Sequence, residues 1–256
     1  MNIPILTNPA KGIDISTYQE VGKYSNVEFA IIKSSEGGRG TPVKDSKFES
    51  HYAFYKSKGI PVGAYHYLHG TDEATIRAAA DWVYENCYKN KQFELPVWLD
   101  VEVQGNPEYT VANKEQTTRV SIAFLNQMAS HNMYVGIYSS EGEYNSVLVP
   151  SEFASFDKWI AKWSTTPPTT TDYTIWQCSD GTSGQVYIAG VDNDLMYVDY
   201  PTFMKNSNYN GYNNQPTPPV IIPNVSVIKV SKATDNNRKK AYKRKRLINN
   251  ILIERF

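Results

Sequence analysis

Eight short apolar segments, separated by helical or turn patterns, constrain the fold of this chain more than any other feature. Strands that alternate with helical patterns predict parallel pairing through crossover helices. The predicted strands lie at about 11–16, 29–35, 61–68, 95–102, 134–140, 158–163, 174–180 and 187–192. Eight strands of this kind predict a closed, TIM-like α/β barrel.

Helical patterns indicate how the strands are connected. They cover residues 47–59, which end at a glycine stop, and begin again at residues 72 and 113. After residue 134 the connections shorten, and only a fragment near 141–147 has a helical pattern. We therefore expect eight mostly parallel strands with about five outer helices, plus a C-terminal basic tail.

The charges divide the chain into parts. Residues 206–256 hold 10 of the 26 basic and 2 of the 26 acidic side chains. The zero net charge is therefore the sum of an acidic body and a basic C-terminal segment. We predict a barrel domain at 1–205, an Asn/Pro-rich linker at 206–227 and a basic, flexible tail at 228–256. The acidic body argues against nucleic-acid binding by the barrel. The tail either contacts a polyanion or is a soluble segment without a binding role.

Targeting and metal signals are missing from the sequence. The N-terminal residues MNIPILTNPAKG do not resemble a signal peptide, and no run of 18 apolar residues occurs, so we expect no transmembrane segment and synthesis in the cytoplasm. The two cysteines and four histidines show no metal-ligand spacing. We predict neither a metal nor a cofactor.

The octapeptide LPVWLDVE at 95–102 is the strongest functional signal. Residues two apart on a strand share a face, so Asp100 and Glu102 are expected side by side at the end of a buried strand. Two neighbouring acids raise the proton affinity of the less solvated one and leave the other ionised. One acid and one anion is the pair that glycosidic cleavage needs. The alternative is that both acids merely cap the strand end.

Polar residues also end the other predicted strands. Active sites of parallel barrels lie at the C-terminal ends of the strands, where the loops converge. The residues expected at this rim are Asp14, Lys33, Tyr65, Asp100, Glu102, Tyr138, Trp163, Gln177 and Asp192. Four acids would therefore meet at one mouth.

Two further features have ordinary interpretations. His66 stands alone on an apolar strand, which is typical of a hydrogen-bonded core histidine. The stretch Gly37-Gly38-Arg39-Gly40 lacks the lysine pattern of a phosphate-binding loop. We interpret it as a flexible loop at the rim.

The ordered segments GIDIS, AIIKSSEG, GAYHYL, VWLDVE, GIYSS, WIAKW, WQCSD and GVDND resemble glycoside hydrolase family 25. The resemblance covers about residues 11–200. The family consists of lysozymes of the N-acetylmuramidase type, and many members are phage endolysins. It implies a barrel with fewer outer helices than strands. The implied activity is hydrolysis of the β-1,4 bond between N-acetylmuramic acid and N-acetylglucosamine in peptidoglycan, with net retention.

The resemblance also implies roles for the acids. Glu102 matches the general acid, Asp100 its partner, and Asp14 and Asp192 the two aspartates that face the sugar across the cleft. Tyr65, Tyr138, Trp163 and Gln177 are then candidates for substrate binding, and the first two are equally explained as packing. Lys33 either binds substrate or forms an ion pair with Asp14 or Glu36. Whether a carboxylate or the substrate's acetamido oxygen attacks the anomeric carbon stays open.

Two rival functions remain at this point. A chitinase-like glycosidase would also end its fourth strand in Asp-x-Glu, and a catalytically silent barrel would bind carbohydrate through its aromatic side chains. If the chain is a lysozyme, peptidoglycan is its partner, it acts on the cell wall after release from the cytoplasm, and the tail has anionic wall polymers as a candidate partner.

Overall fold

Nine strands form one sheet, and eight of them close it into a barrel. The computed structural model describes residues 3–212 except residue 171. The strands are β1 (Ile5–Ile15), β2 (Phe29–Gly37), β3 (Val43–Lys44), β4 (Val62–Leu68), β5 (Val97–Asp100), β6 (Val135–Ser140), β7 (Asp157–Ala161), β8 (Tyr173–Ser179) and β9 (Asp192–Val198).

Most of the barrel strands are parallel. Strands β1, β2, β4, β5, β6, β7 and β8 pair with parallel neighbours in this order. Strand β9 closes the barrel and is antiparallel to both β8 and β1. The short β3 pairs with the end of β2. The predicted fold class, a TIM-like barrel of eight mostly parallel strands, is confirmed.

Five α-helices occur among the described residues, as expected from the sequence. They are α1 (Phe48–Ser57), α2 (Glu73–Val83), α3 (Lys114–Ser130), α4 (Glu141–Ser146) and α5 (Tyr200–Ser207). Helix α2 illustrates why the sequence forms these helices. The Asp72 side chain caps its N-terminus by accepting a hydrogen bond from the Thr75 N–H. The buried side chains of this helix recur at helical spacing. None of the helices within residues 3–212 has the length and apolar content that crossing a bilayer requires.

The last strand differs from its prediction. We expected a parallel strand at 187–192, whereas residues 187–191 form a loop and the strand starts at Asp192. The Asn193 side chain holds this loop, since it accepts hydrogen bonds from the Tyr187 and Ile188 N–H groups and donates to the Val191 carbonyl. No helix lies between β8 and β9 to carry the chain back, so the two strands pair antiparallel.

An aromatic column fills the barrel from its lower end to the mouth. Tyr200 of α5 lies at the lower end, 6.3 Å from Trp98 between ring centroids. Trp98 is 5.9 Å from Trp159, which contacts Tyr138 at 4.4 Å. Gly136 makes room for this column, because a Cβ there would lie 2.3 Å from the Trp98 ring. The acids at the mouth therefore lie directly above close-packed aromatic side chains.

The packed part of the chain extends beyond residue 205, where we predicted the barrel to end. Asn210 is fully buried, and its side chain donates to the Leu95 carbonyl and accepts from the Tyr134 N–H. Tyr212 donates a hydrogen bond to Glu94. Residues 206–212 are thus part of the barrel rather than a linker. The rest of the predicted linker and the tail at 228–256 lie outside the described residues.

Candidate active site

Asp100 and Glu102 lie together at the upper end of β5. Asp100 is the last residue of the strand and only 6% exposed, and its Oδ1 has no hydrogen-bond partner within the described structure. Glu102 is partly exposed. The two carboxyl groups lie close enough for each to change the pKa of the other. The predicted pair is therefore in place.

Burial favours the protonated form of both acids in this pair. Burial raises the pKa of Asp100 well above its usual value, and the neighbouring Glu102 raises it further. Burial and the charge of Glu143 raise the pKa of Glu102, whereas Asp100 lowers it. Asp100 is the less solvated of the two, and the role of Glu102 as the proton donor stays a prediction.

A second group of acids faces this pair from the seam between β1 and β9. Asp14 and Asp192 are register partners across the seam. The Gln177 amide connects them, with Nε2 donating to Asp14 Oδ2 at 2.8 Å and to Asp192 Oδ2 at 3.5 Å. Its Oε1 accepts hydrogen bonds from Tyr138 Oη at 3.0 Å and Trp163 Nε1 at 2.9 Å. Five of the predicted rim residues therefore form one network.

Asp194 belongs to this group, and the sequence analysis missed it. It is fully buried, and its Oδ1 accepts a 2.8 Å hydrogen bond from Trp159 Nε1. It also shares a hydrogen bond with Asp14, whose pKa is raised by burial and by Asp192 and Asp194. The motif VDND held the signal, because alternation along β9 places Asp194 on the face of Asp192.

Burial and the charge of Asp180 raise the pKa of Asp192 to about 6. The folded protein binds this proton more tightly than the unfolded chain does. The stability that the proton contributes is therefore fully present at a pH below the ordinary pKa of aspartate, and it is lost as the pH rises toward 6. Asp192→Asn is expected to raise the melting temperature at about pH 7.5 and to have a smaller effect at about pH 4. Thermal unfolding at both pH values measures this.

The control for this prediction is the same substitution at Asp72. This exposed carboxylate accepts hydrogen bonds from Thr75, which lower its pKa. Asp72→Asn should therefore give no gain at either pH. An Asp192→Asn protein with equal shifts at both pH values would contradict the prediction.

Tyr65 and Lys33 also lie at the mouth. The pKa of Tyr65 is raised by burial and by the charges of Asp14 and the other three predicted acids, so its hydroxyl lies among them. Its ring packs edge-on against the Trp159 ring, with 6.1 Å between the ring centroids, so Tyr65 is also a packing residue. Lys33 forms a 2.5 Å ion pair with Glu36, one of the two alternatives that we considered. Its charge also lowers the pKa of Asp100, which places it close to the acid pair.

The interpretation of His66 as a core residue is confirmed. Its Nδ1 lies 2.9 Å from Ser35 Oγ and its Nε2 lies 3.0 Å from the Gly37 carbonyl oxygen. The ring stacks on Phe124 at 4.9 Å between centroids. Burial lowers its pKa to about 3, so the ring is neutral and structural.

The glycine-rich loop after β2 packs on the segment that follows Glu102. Arg39 donates to the Gly105 carbonyl at 3.1 Å, to Asn106 Oδ1 at 3.1 Å and to Glu108 Oε1 at 2.7 Å. Gly38 has φ +140, and a Cβ there would lie 2.0 Å from the His69 carbonyl oxygen. The predicted flexibility of this loop stays a prediction.

Asn106 holds the backbone of Glu102. It is fully buried, and its Nδ2 donates to the Glu102 carbonyl at 2.9 Å and to the Leu68 carbonyl at 3.0 Å. Its Oδ1 lies 2.8 Å from His69 Nδ1. The side chain thus uses both of its ends to fix the turn after the acid pair.

Asn106→Ala is expected to lower the free energy of unfolding by about 1–3 kcal/mol, because it leaves buried carbonyl groups without donors. It should also slow any reaction that depends on Glu102. Urea denaturation measures the first effect. The exposed Asn113 provides the control, since its Nδ2 makes one hydrogen bond to the Glu108 carbonyl and Asn113→Ala should change stability by less than about 0.5 kcal/mol. Equal losses in both variants would contradict the assignment.

The structure provides no preformed metal site in the part that it describes. Within residues 3–212, apart from residue 171, no group of three or more histidine, cysteine, aspartate or glutamate side chains is arranged to hold a metal ion. The acids at the mouth instead accept hydrogen bonds from Gln177 and Trp159. This arrangement suits proton transfer and the stabilisation of positive charge.

Comparison with known proteins agrees with this geometry. Residues 13–186 match the family described as glycosyl hydrolases family 25, a range that ends before Asp192. Lysozyme M1 of Streptomyces globisporus is 28% identical over 214 residues, which cover 75% of this chain and 68% of that protein. The N,O-diacetylmuramidase of Arthroderma benhamiae is 25% identical over 201 residues, covering 71% of this chain and 83% of that protein.

A solved structure gives the same result. The bacterial lysozyme from Streptomyces coelicolor superposes with a TM-score of 0.61 at 25% identity, over 81% of this chain and all of that chain. The superposition extends the similarity from the sequence to the barrel itself.

Proposed function

This chain belongs to glycosyl hydrolase family 25, and on that premise we propose that it is a lysozyme of the N-acetylmuramidase type. Its substrate is then the β-1,4 bond between N-acetylmuramic acid and N-acetylglucosamine in peptidoglycan. The observation that carries the proposal is the mouth of the barrel, where the neighbouring acids Asp100 and Glu102 face Asp14 and Asp192. The names of the relatives support the same substrate.

The acid pair supplies the proton that the leaving sugar needs. Glu102 is the more exposed member and therefore the one that meets the glycosidic oxygen. Protonated Glu102 transfers its proton to that oxygen, with Asp100 beside it. The bond between the anomeric carbon and the oxygen then breaks, and its electron pair stays with the leaving sugar. Burial and the charge of Glu143 raise the pKa of Glu102 and so favour the protonated form that this step needs.

Asp192 and Asp14, on the opposite side of the mouth, have different roles. With a pKa of about 6, Asp192 is ionised at neutral pH and faces the positive charge that develops on the sugar ring. Burial, Asp192 and Asp194 raise the pKa of Asp14, which disfavours a second negative charge beside Asp192. Environments that separate the pKa values of neighbouring acids are typical of acid and base assignments in glycosidases.

Net retention follows if a group on the Asp192 side, or the acetamido oxygen of the substrate, attacks the anomeric carbon before water does. Asp14 and the Gln177 amide lie where they could orient an acetamido group, since Gln177 already bridges the two aspartates. Glu102, deprotonated by the first step, then takes the proton of the attacking water. The second step restores the enzyme.

Aromatic side chains form the wall of the proposed cleft. Trp163 is 53% exposed, and its Nε1 is held by Gln177, so the ring presents a fixed apolar face at the rim. Tyr138 is buried beneath it and reaches the same amide through its hydroxyl. A fixed aromatic ring binds a sugar face at a low cost in conformational entropy. The exposed ring suits a saccharide chain that lies across the mouth.

The predicted partner of the basic tail stays a prediction, because residues 228–256 lie outside the described residues. The cell wall is likewise a proposed site of action, because peptidoglycan is located there. The chemistry proposed at the mouth of the barrel does not depend on the tail or on the site of action.

The test is the identity of the new reducing end. Purified protein is incubated with peptidoglycan, the products are reduced with borohydride, and the reduced sugar is identified. Reduced muramic acid is the expected product. Reduced glucosamine would mean that the other bond is cut and would overturn the muramidase assignment. Binding without new ends would favour the catalytically silent barrel, and cleavage of chitin oligomers alone would favour the chitinase-like enzyme.

A further inference from the structure

Glu143 is an acid that the predicted cleft did not include. It lies in the first turn of α4, where the Ser140 side chain caps the helix by accepting a 3.2 Å hydrogen bond from the Glu143 N–H. A glutamate at this position commonly folds back to the capping residue's backbone. Here Oε1 of Glu143 instead accepts a 3.1 Å hydrogen bond from the N–H of Val103, the residue that follows Glu102.

The carboxylate of Glu143 is fixed at both oxygens. Its Oε2 accepts a 3.1 Å hydrogen bond from Ser140 Oγ, while Oε1 holds the Val103 N–H. Among residues 3–212, no lysine, arginine or histidine forms an ion pair with it, whereas Glu141, in the same helix, pairs with Lys162 at 3.3 Å. The Glu143 side chain is therefore anchored beside the acid pair, and no cation among these residues pairs with it.

We propose that Glu143 is a positioning residue whose fixed negative charge keeps the proton on Glu102 and so extends cleavage to higher pH. The part of this inference that concerns cleavage rests on the proposed function, whereas the effect on the proton does not. Glu143 itself does not touch the substrate. It acts through Glu102 and through the backbone of Val103.

Three other charged groups also change the pKa of Glu102. After burial, Glu143 is the largest cause that raises the pKa of Glu102, and Asp192 of β9 adds a smaller effect. Asp100 of β5 and Lys33 of β2 lower it, and Lys33 is itself engaged by Glu36.

The three tyrosines that face the pair add no charge. The pKa values of Tyr65 and Tyr67 on β4 and of Tyr138 on β6 are raised by burial and by the neighbouring acids, so all three hydroxyls stay protonated. Glu143 is therefore the nearby charge that most strongly favours protonated Glu102.

The sign of the effect follows from the role of the acid. Cleavage needs a proton on Glu102 and is lost as the pH rises through the pKa of that group. Removal of the negative charge of Glu143 lowers the pKa, so the alkaline limb of the activity profile moves to lower pH. Glu143→Gln is nearly isosteric and keeps an oxygen for the Val103 N–H. It therefore removes the charge with little change in shape.

The first measurement is a titration that needs no substrate. The carboxyl carbons of 13C-labelled glutamates are followed by NMR in the wild type and in Glu143→Gln, and the Glu102 signal is assigned by its loss in Glu102→Gln. The expected result is a lower titration midpoint for Glu102 in Glu143→Gln. The remote control Glu152→Gln, at an exposed position, removes the same charge and should shift the midpoint less. Equal shifts in both variants, or none, would overturn the inference.

The second measurement is the pH profile of kcat/KM on soluble peptidoglycan fragments. Glu143→Gln should keep the wild-type value at acidic pH and lose it at a lower pH than the wild type does. A purely structural role would instead lower kcat/KM at every pH and leave the limb in place. If the wild type released no reducing ends, the proposed function would fail, and the titration would still decide the role of Glu143.

Discussion

Glu102→Gln is expected to lower the rate of peptidoglycan cleavage by about 10²- to 10⁴-fold, which is the contribution of a positioned general acid. The amide cannot deliver a proton to the glycosidic oxygen. The turn that carries residue 102 is fixed by Asn106 through the main chain, so the fold should persist. Release of reducing ends from peptidoglycan measures the effect.

The matched control for this variant is Glu85→Gln. Glu85 lies on the outer surface and pairs with Lys89 at 2.8 Å, one helical turn away. This substitution makes the same chemical change far from the mouth and should leave the rate unchanged. A Glu102→Gln protein that released reducing ends at the wild-type rate would remove Glu102 from the mechanism, even if the barrel proved to be a lysozyme.

Trp159→Ala should lower the free energy of unfolding by about 3–5 kcal/mol, the range observed when a large buried aromatic side chain is truncated. Trp159 is 1% exposed and contacts Trp98 and Tyr138, so its removal opens a cavity in the middle of the aromatic column. It also leaves Asp194 Oδ1 without its donor in the interior. Denaturant unfolding monitored by circular dichroism gives the size of the loss.

Trp163→Ala is the matched control for this effect. Trp163 is 53% exposed and sits on the rim, so the same truncation should change stability by less than about 0.5 kcal/mol. Its expected effect is instead a higher KM for peptidoglycan fragments, because a wall of the cleft is lost. Similar losses of stability in the two variants would contradict the placement of the aromatic column.

The sequence predicted the barrel because buried parallel strands read as apolar runs that alternate with helices. Seven predicted strands overlap the observed ones closely, from 11–16 against Ile5–Ile15 to 174–180 against Tyr173–Ser179. The eighth was misplaced because Tyr187-Ile188 is apolar enough to resemble a strand. Its loop geometry depends on the Asn193 side chain, a contact that no periodicity reveals.

The rim residues could be predicted because parallel strands bring their C-terminal ends to one mouth. Asp192 was expected there as the end of a parallel strand. It lies at the start of an antiparallel one, and both geometries place it beside Asp14. The proton positions could not be predicted, since they depend on how deeply each carboxyl group is buried. Glu143 was missed because a helix start on the outer wall gives no sign that its side chain reaches Val103.

The seam between β1 and β9 also ties the completion of the barrel to the last part of its synthesis. The ribosome makes β1 first, but its register partners in β9, from Asp192 to Val198, emerge nearly two hundred residues later. A chain that lacks β9 carries Asp14 without Asp192, its register partner. Pairing between such distant segments is slow. The two aspartates therefore come together only after β9 has been made.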